Sequence, residues 1–407
     1  MNILVLNAGS SSFKVSLYQL TGESLPLDLV VPIWKGEIEW KSHELAVLSA
    51  KVSDDIKTEE ERIGVDRWKV IHNLLDWLWS GGTQVINGIW EIDIVGHRVV
   101  HGGEKYRQPT LINEEVKAEI DRLSIFAPLH NPANLMGINV IESLSPNTPQ
   151  IAVFDTAFYG DLPEVTYAYP VPYQWLERGI RKYGFHGISH QYCTQRAAKL
   201  LGRDLQELRL ISCHLGNGCS LTAIKFGRCI ETTMGFTPID GLMMGTRCGS
   251  IDPGIMLHLL REQEYTVEEL DHILNFESGL LGISGVSNDL REIDKAIASG
   301  NIRAKLALDI YIDRLAAKIG SLLPTLGGVD ALIFTGGVGE NYAGIRAAVA
   351  AKLAFIGVEI DPVLNILPTT VDRDLATDRS QVRILAIHTQ EEWQIAMVCL
   401  QYSSSIF

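Results

Sequence analysis

None of the six cysteines (Cys193, Cys213, Cys219, Cys229, Cys248 and Cys399) lies in a C-x-x-C pair. That argues against a disulfide framework or a structural zinc site and fits free thiols in a reducing cytosol. No run of eighteen apolar residues occurs, so no membrane-spanning helix is expected. A basic, apolar leader is also missing, because Met1 opens directly into a strand-like stretch; the expectation is a cytoplasmic protein. Positive charge is scarce: 35 Lys and Arg against 49 Asp and Glu give a formal net charge of −14, which argues against a nucleic-acid surface. No H-E-x-x-H or related pattern speaks for a transition metal.

The 407 residues, 46% hydrophobic and 21% charged, describe an ordinary globular chain long enough for two domains. Its first motif is NAGSSSFK, residues 7–14, a glycine-serine turn followed by Lys14. This is not a P-loop, since no second glycine precedes the lysine and FKVSLYQL alternates like a strand rather than a helix. The turn therefore joins two strands. A second hairpin of the same kind appears near half the chain length, in LRLISCHLGNGCSLTAIKFGRCIETT. Each half also holds a strand running into glycine and polar residues, IDIVGHRVVHGGE at 92–104 and ALIFTGGVGEN at 331–341. These matched features predict a duplicated α/β domain, with chance resemblance as the alternative. Between them the patterns predict helices at 113–123, with Asn113 as cap, at 131–144 and at about 302–323. The aromatic and proline-rich stretch 156–175 reads as a connector.

Three glycine turns offer backbone amides to phosphate: NAGSSSFK, where three hydroxyls can also surround oxygens and Lys14 supplies charge, residues 214–218, and TGGVGEN, which follows a strand and opens a helix. Each is equally compatible with a purely structural turn. Arg98, in GHRVVHGG, and Arg247, in MMGTRCGS, sit in apolar, glycine-rich surroundings, where a cation needs an anionic partner. That partner is either a ligand or a carboxylate of the fold. Asp155 ends the strand IAVFD, where α/β sites concentrate, or else caps a helix. His186 lies between glycine and phenylalanine at a helix start, as a catalytic or a packing residue. Glu391 and Glu392, after the strand VRILAI, suit Mg²⁺ or a solvated helix terminus.

Taken together, LNAGSSSFK, GHRVVHGG, FAPLHNPAN, FDTAF, YGFHGISH, HLGNG, TPIDGLMMGTRCG, TGGVGEN and the final EE resemble the acetate kinase family, in order and over nearly the whole chain. The resemblance implies two ribonuclease-H-like domains of the actin and sugar-kinase type flanking a nucleotide cleft: residues 1–155 with about 392–407, and residues 156–391. It implies reversible transfer of the ATP γ-phosphoryl group to acetate, giving acetyl phosphate and ADP, with Mg²⁺ (or Mn²⁺ in its place) and a homodimer. A propionate kinase of the same family is the nearest alternative, and a non-catalytic ATP clamp the more distant one. By matching position, Asn7 and Glu391 resemble the metal-linked residues and Lys14 the hairpin's ATP contact. Asp155, His186 and Arg247 resemble the catalytic set, and Arg98, Val100, Leu129, Phe185 and Pro238 the acid-binding set. Nucleotide-binding segments are matched by His214, Leu215, Gly216, Asn217 and Gly218, by Asp289, Leu290 and Arg291, and by Gly337, Val338, Gly339, Glu340 and Asn341. Ile188, Ser250 and Gln390 depart from the family pattern, which expects Thr, Asp and Asn there.

Overall fold

The apolar run ILVL before the glycine-serine turn and the alternating FKVSLYQL after it build the expected hairpin. β1 (Asn2–Ala8) and β2 (Ser12–Gln19) pair antiparallel, with Leu6 opposite Val15 and Asn7 opposite Lys14. The computed structural model describes residues 1–9, 12–20, 28–41, 45–52, 57–63, 66–368 and 371–403. Ser10 and Ser11, two of the hydroxyls expected around phosphate, lie outside the described residues, as does the end of the chain beyond 403. The chain divides into two units, Met1–Gly160 with Gln390–Phe407, and Asp161–Thr389.

In the first unit the hairpin continues into β3 (Trp34–Trp40), β4 (Leu45–Lys51) and β5 (Lys57–Ile63). β6 (Ile94–Val99), β7 (Thr110–Leu111) and β8 (Gln150–Phe154) complete an eight-stranded sheet in the order β5-β4-β3-β2-β1-β6-β8-β7. β1, β6 and β8 are mutually parallel, while β2 and β3 alternate in direction. Leu4, Leu6, Phe13, Leu17, Trp34, Ile38, Leu48 and Leu74 form its largest core cluster.

The second unit repeats this plan. β9 (Arg209–Leu215), β10 (Cys219–Lys225) and β11 (Arg228–Thr232) form the antiparallel part, and β12 (Ala331–Thr335), β13 (Arg373–Asp374) and β14 (Arg383–Ala386) follow. The order is β11-β10-β9-β12-β14-β13, with β9, β12 and β14 parallel. Hence β3-β2-β1-β6-β8 and β11-β10-β9-β12-β14 have one topology, and the hairpins β1–β2 and β9–β10 occupy equivalent places. The duplicated ribonuclease-H-like fold expected from the sequence is the fold observed.

Two of the predicted helices agree closely with the sequence reading. Asn113 caps Glu114–Arg122, accepting from the Val116 amide, and Asn131–Leu144 has the predicted limits. The long helix runs Ile302–Leu326, a few residues past its predicted end, because Pro324 is accommodated in the last turn before Gly327 (φ 71°) stops it. The connector folds into short helices at Glu164–Tyr167 and Tyr173–Glu177.

The last helix, Glu391–Ser403, returns to the first unit and packs on β1 and β6. Gly96 permits that approach: a Cβ there would stand 2.5 Å from Ile395 Cγ2 and 2.6 Å from Cys399 Sγ. Gly96→Ala should overpack this contact and cost about 1–3 kcal/mol, read as a lower urea midpoint at constant m-value. An unchanged midpoint would mean that the helix is not seated on Gly96.

Candidate functional site

The end of β6 carries Arg98 beside the C-terminal end of β1, one position beyond the Leu6–His97 pair. Its Nε and Nη2 both donate to Asp155 Oδ2, at 3.0 and 2.7 Å, and Nη1 donates to Asn7 Oδ1 at 3.0 Å. Asn7 in turn donates from Nδ2 to Glu391 Oε2 (3.1 Å) and Glu392 Oε1 (2.8 Å). Glu391 Oε2 lies 3.9 Å from Arg98 Nη1. Burial opposes the guanidinium's charge, but Asp155, Glu391 and Glu392 outweigh it and raise its pKa above the usual arginine value. The predicted Arg98, Asp155, Asn7 and Glu391 are thus one cluster. Arg98 keeps one N–H on each terminal nitrogen without a protein acceptor among the described residues.

Val100 follows β6 and is buried, its amide donating to Asn134 Oδ1 at 3.1 Å; Leu129 is half-buried in the same unit. Lys14 stands not in the turn but inside β2, where it faces Glu37 at 3.9 Å.

In the second unit His186 caps Gly187–Leu201 from a left-handed backbone (φ 59°, ψ 25°), a conformation uncommon for a non-glycine residue. Its Nδ1 meets Ser220 Oγ at 2.9 Å, and its ring stacks on His214 with centroids 4.3 Å apart. His214 Nδ1 meets Ser189 Oγ at 2.8 Å. A Cβ placed on Gly218 would lie 3.4 Å from both His186 Nε2 and Arg247 Nη1, so the turn, the ring and the guanidinium converge. Arg247 Nη1 donates to the Pro238 carbonyl at 3.3 Å and has no ion-pair partner among the described residues. Burial lowers its pKa below the ordinary arginine value. Phe185 is buried beside His186 in sequence, and Pro238 is half-buried.

The remaining predicted segments differ in what they present. Asn217 bonds Asn288 through its side chain (3.0 Å), and the Gly216 amide bonds the Gly218 carbonyl. Asp289 caps the helix Leu290–Ala298 and pairs with the exposed Arg291. Gly337 opens Gly336–Asn341 with free space where a Cβ would be. Glu340 is turned inward: Oε1 accepts from the amides of Gly336 (2.9 Å) and Thr389 (3.0 Å), and Oε2 meets His388.

A model described as the acetokinase family matches residues 2–397. An acetate kinase of a Cyanothece species is 58% identical over 98% of each chain, and one of Gloeobacter violaceus 57% identical over 99% of each. Among solved structures, Porphyromonas gingivalis acetate kinase superposes with a TM-score of 0.89 at 38% identity, covering 98% of this chain and 99% of that one. A Francisella tularensis propionate kinase gives 0.88 at 38%, with the same coverage. The chain belongs to the acetokinase family.

Several residues of the chain were invisible to motif reading. Arg346 is 1% exposed and meets no carboxylate among the described residues; it donates instead to the carbonyls of Gly339, Glu340 and Asn365 and to Asn365 Oδ1, at 2.7–2.8 Å. It therefore ties down the end of Gly336–Asn341. His190, Ser212 and Ser220 stand behind His186. Of the departures, Ile188 is buried, Ser250 donates to Asp240 (2.6 Å), and Gln390 precedes the last helix, a position where Asn caps better than Gln.

Among the described residues no group of three or more His, Cys, Asp or Glu is placed to hold a metal ion. Glu391 and Glu392, held by Asn7, are oxygen donors of the kind Mg²⁺ takes in ones and twos, with phosphate and water supplying the rest.

Three buried histidines give the chain a defined acid response. Burial lowers His97 and His101 to about 4 and His190 well below its ordinary value. Below about pH 6.5 the unfolded chain binds protons that these rings refuse, so stability should hold above that pH and fall as pH drops towards 4. The full loss is about 3 kcal/mol for each of His97 and His101. Urea midpoints at pH 7, 6 and 5 should fall in that order; a flat profile would contradict it.

Proposed function

We propose that the chain is an acetate kinase, transferring the γ-phosphoryl group of ATP to acetate with Mg²⁺ and yielding acetyl phosphate and ADP. The observation that carries the reading is Arg98. Its position is fixed by Asp155 and Asn7, yet it retains two donors, one on each terminal nitrogen, which suit the two oxygens of a small carboxylate.

Acetate is already an anion, so no strong general base is required. A carboxylate oxygen forms a new bond to the γ-phosphorus as the bond to the β-bridging oxygen breaks, and ADP leaves with that electron pair. The difficulty is repulsion between two anions, which positioning and local positive charge overcome. Arg98 holds and orients the acid; Asp155 holds Arg98. His186 Nε2 and Arg247, converging at Gly218, donate to the transferring oxygens. The amides of Asn217 and Gly218 and that of Gly337, in the first turn of Gly336–Asn341, serve the nucleotide phosphates. Glu391, oriented by Asn7, would hold the cation, which would supply neutralisation of phosphate charge. We further propose a cytoplasmic homodimer, from family resemblance and the six free cysteines.

ATP, Mg²⁺, hydroxylamine and acetate should give acyl hydroxamate, and omission of acetate should abolish it. Arg247→Ala should lower kcat about 10³-fold or more with ATP binding largely kept, and Arg247→Lys should rescue poorly. Near-normal turnover with Lys would exclude a forked contact.

The propionate kinase superposition favours a second acid as substrate. One methylene is discriminated by about 10–200-fold, so propionate should be used, but less well than acetate. Val100→Ala, beside Arg98, should raise kcat/KM for propionate relative to acetate. An unchanged ratio would make Val100 ordinary core.

A further inference from the structure

Two serines stand behind the histidine cluster in an unbranched chain. Ser212, in β9, is wholly buried, and its hydroxyl meets only His190 Nδ1, at 2.8 Å, among the described residues. Ser220, in β10, is equally buried and meets His190 Nε2 at 2.8 Å and His186 Nδ1 at 2.9 Å. A hydroxyl has one proton to donate, and a neutral imidazole donates at one nitrogen and accepts at the other. The direction of the whole chain is therefore decided at its closed end.

If Ser212 accepted from His190 Nδ1–H, its own proton would be buried with no acceptor, a costly arrangement. Ser212 therefore donates to Nδ1. His190, kept neutral by burial and by the neighbouring His214, then carries its proton on Nε2 and donates to Ser220 Oγ. The Ser220 hydroxyl in turn donates to His186 Nδ1. The proton of a neutral His186 is left on Nε2, the atom that faces Gly218 alongside Arg247.

We infer that Ser212 is a positioning residue which, through His190 and Ser220, fixes His186 as the Nε2–H tautomer, a ready donor to an anionic oxygen. The value of that donor rests on the phosphoryl-transfer reading; the tautomer itself does not. A bare Nε2 lone pair at the same place would repel the oxygen that Arg247 attracts. With the proton already there, no rearrangement is needed when the anion arrives.

The test is a long-range ¹H–¹⁵N correlation spectrum of the full chain labelled in histidine, with His186 assigned by the His186→Gln spectrum. His186 and His190 should both show Nε2–H and an accepting Nδ1. Ser212→Ala should mix the tautomers and lower kcat about 10-fold, with both KM values little changed, while Ser212→Thr restores the hydroxyl and both readouts. Ser220→Ala, which cuts the chain beside His186, should cost about 10²-fold. Nδ1–H on either ring in the wild type would overturn the inference, as would alanine variants with wild-type tautomers and kcat. If an alanine variant does not fold, the wild-type spectrum decides alone. A wild type that shows Nε2–H but makes no acyl phosphate sinks the functional reading and supports the relay.

Discussion

The attachment of Arg98 to Asp155 is the contact on which the site geometry of the first unit, and the chemistry proposed for it, depend. In a chain of net charge −14 a cation in a crowded place attracts carboxylates, and Arg98 gathers two of them and one side-chain amide from three directions. Asp155 comes from the end of β8, Asn7 from the end of β1, and Glu391 from the helix that closes the chain, 384 residues after Asn7. Loss of one member of such a buried pair costs about 3–5 kcal/mol, so the same contact orders strand ends and holds the functional group still. Gly96 contributes by letting the last helix reach the sheet that carries Arg98.

The second unit uses its arginine in the opposite way. Arg98 is neutralised within the fold, whereas Arg247 is mostly withdrawn from water and, among the described residues, bonds a backbone carbonyl and no carboxylate. A cation in that state gains most from an arriving anion. The first arginine therefore suits orientation of a small acid and the second suits charge that builds up during reaction. They occupy different places in the duplicated topology: Arg98 lies in β6, and Arg247 lies in the loop between β11 and the helix Pro253–Arg261, beside Gly218.

Much of this was legible because it is local. Hairpins declare themselves by alternation around glycine, and Asn113 and the run 131–144 carry helical signals that packing does not override. Arg98 and Arg247 stood out as charges among glycines. Other features depend on contacts remote in sequence. β5, KTEEERI, has an edge strand's charge and little alternation, so nothing marks it as sheet until β4 pairs with it. Arg346 lies in an alanine-rich helix and reads as surface; only the fold buries it. Glu340 sits in a phosphate-loop motif yet bonds inward, and Lys14 lies in strand rather than turn. Ser212 and Ser220 look like ordinary polar strand positions. Their meaning comes from the histidine placed against them by a helix that begins at a strained residue. The association of Asn7 with Glu391 followed from the family resemblance, because no local pattern joins residues so distant.

The central claim is that a carboxylate oxygen becomes bonded to the γ-phosphorus. Phosphorus NMR of the products from ATP, Mg²⁺ and ¹⁸O-labelled acetate tests it directly. The account predicts ADP together with acetyl phosphate whose phosphorus signal carries the shift of one attached ¹⁸O. AMP and pyrophosphate, or acetyl phosphate without the isotope shift, would contradict it.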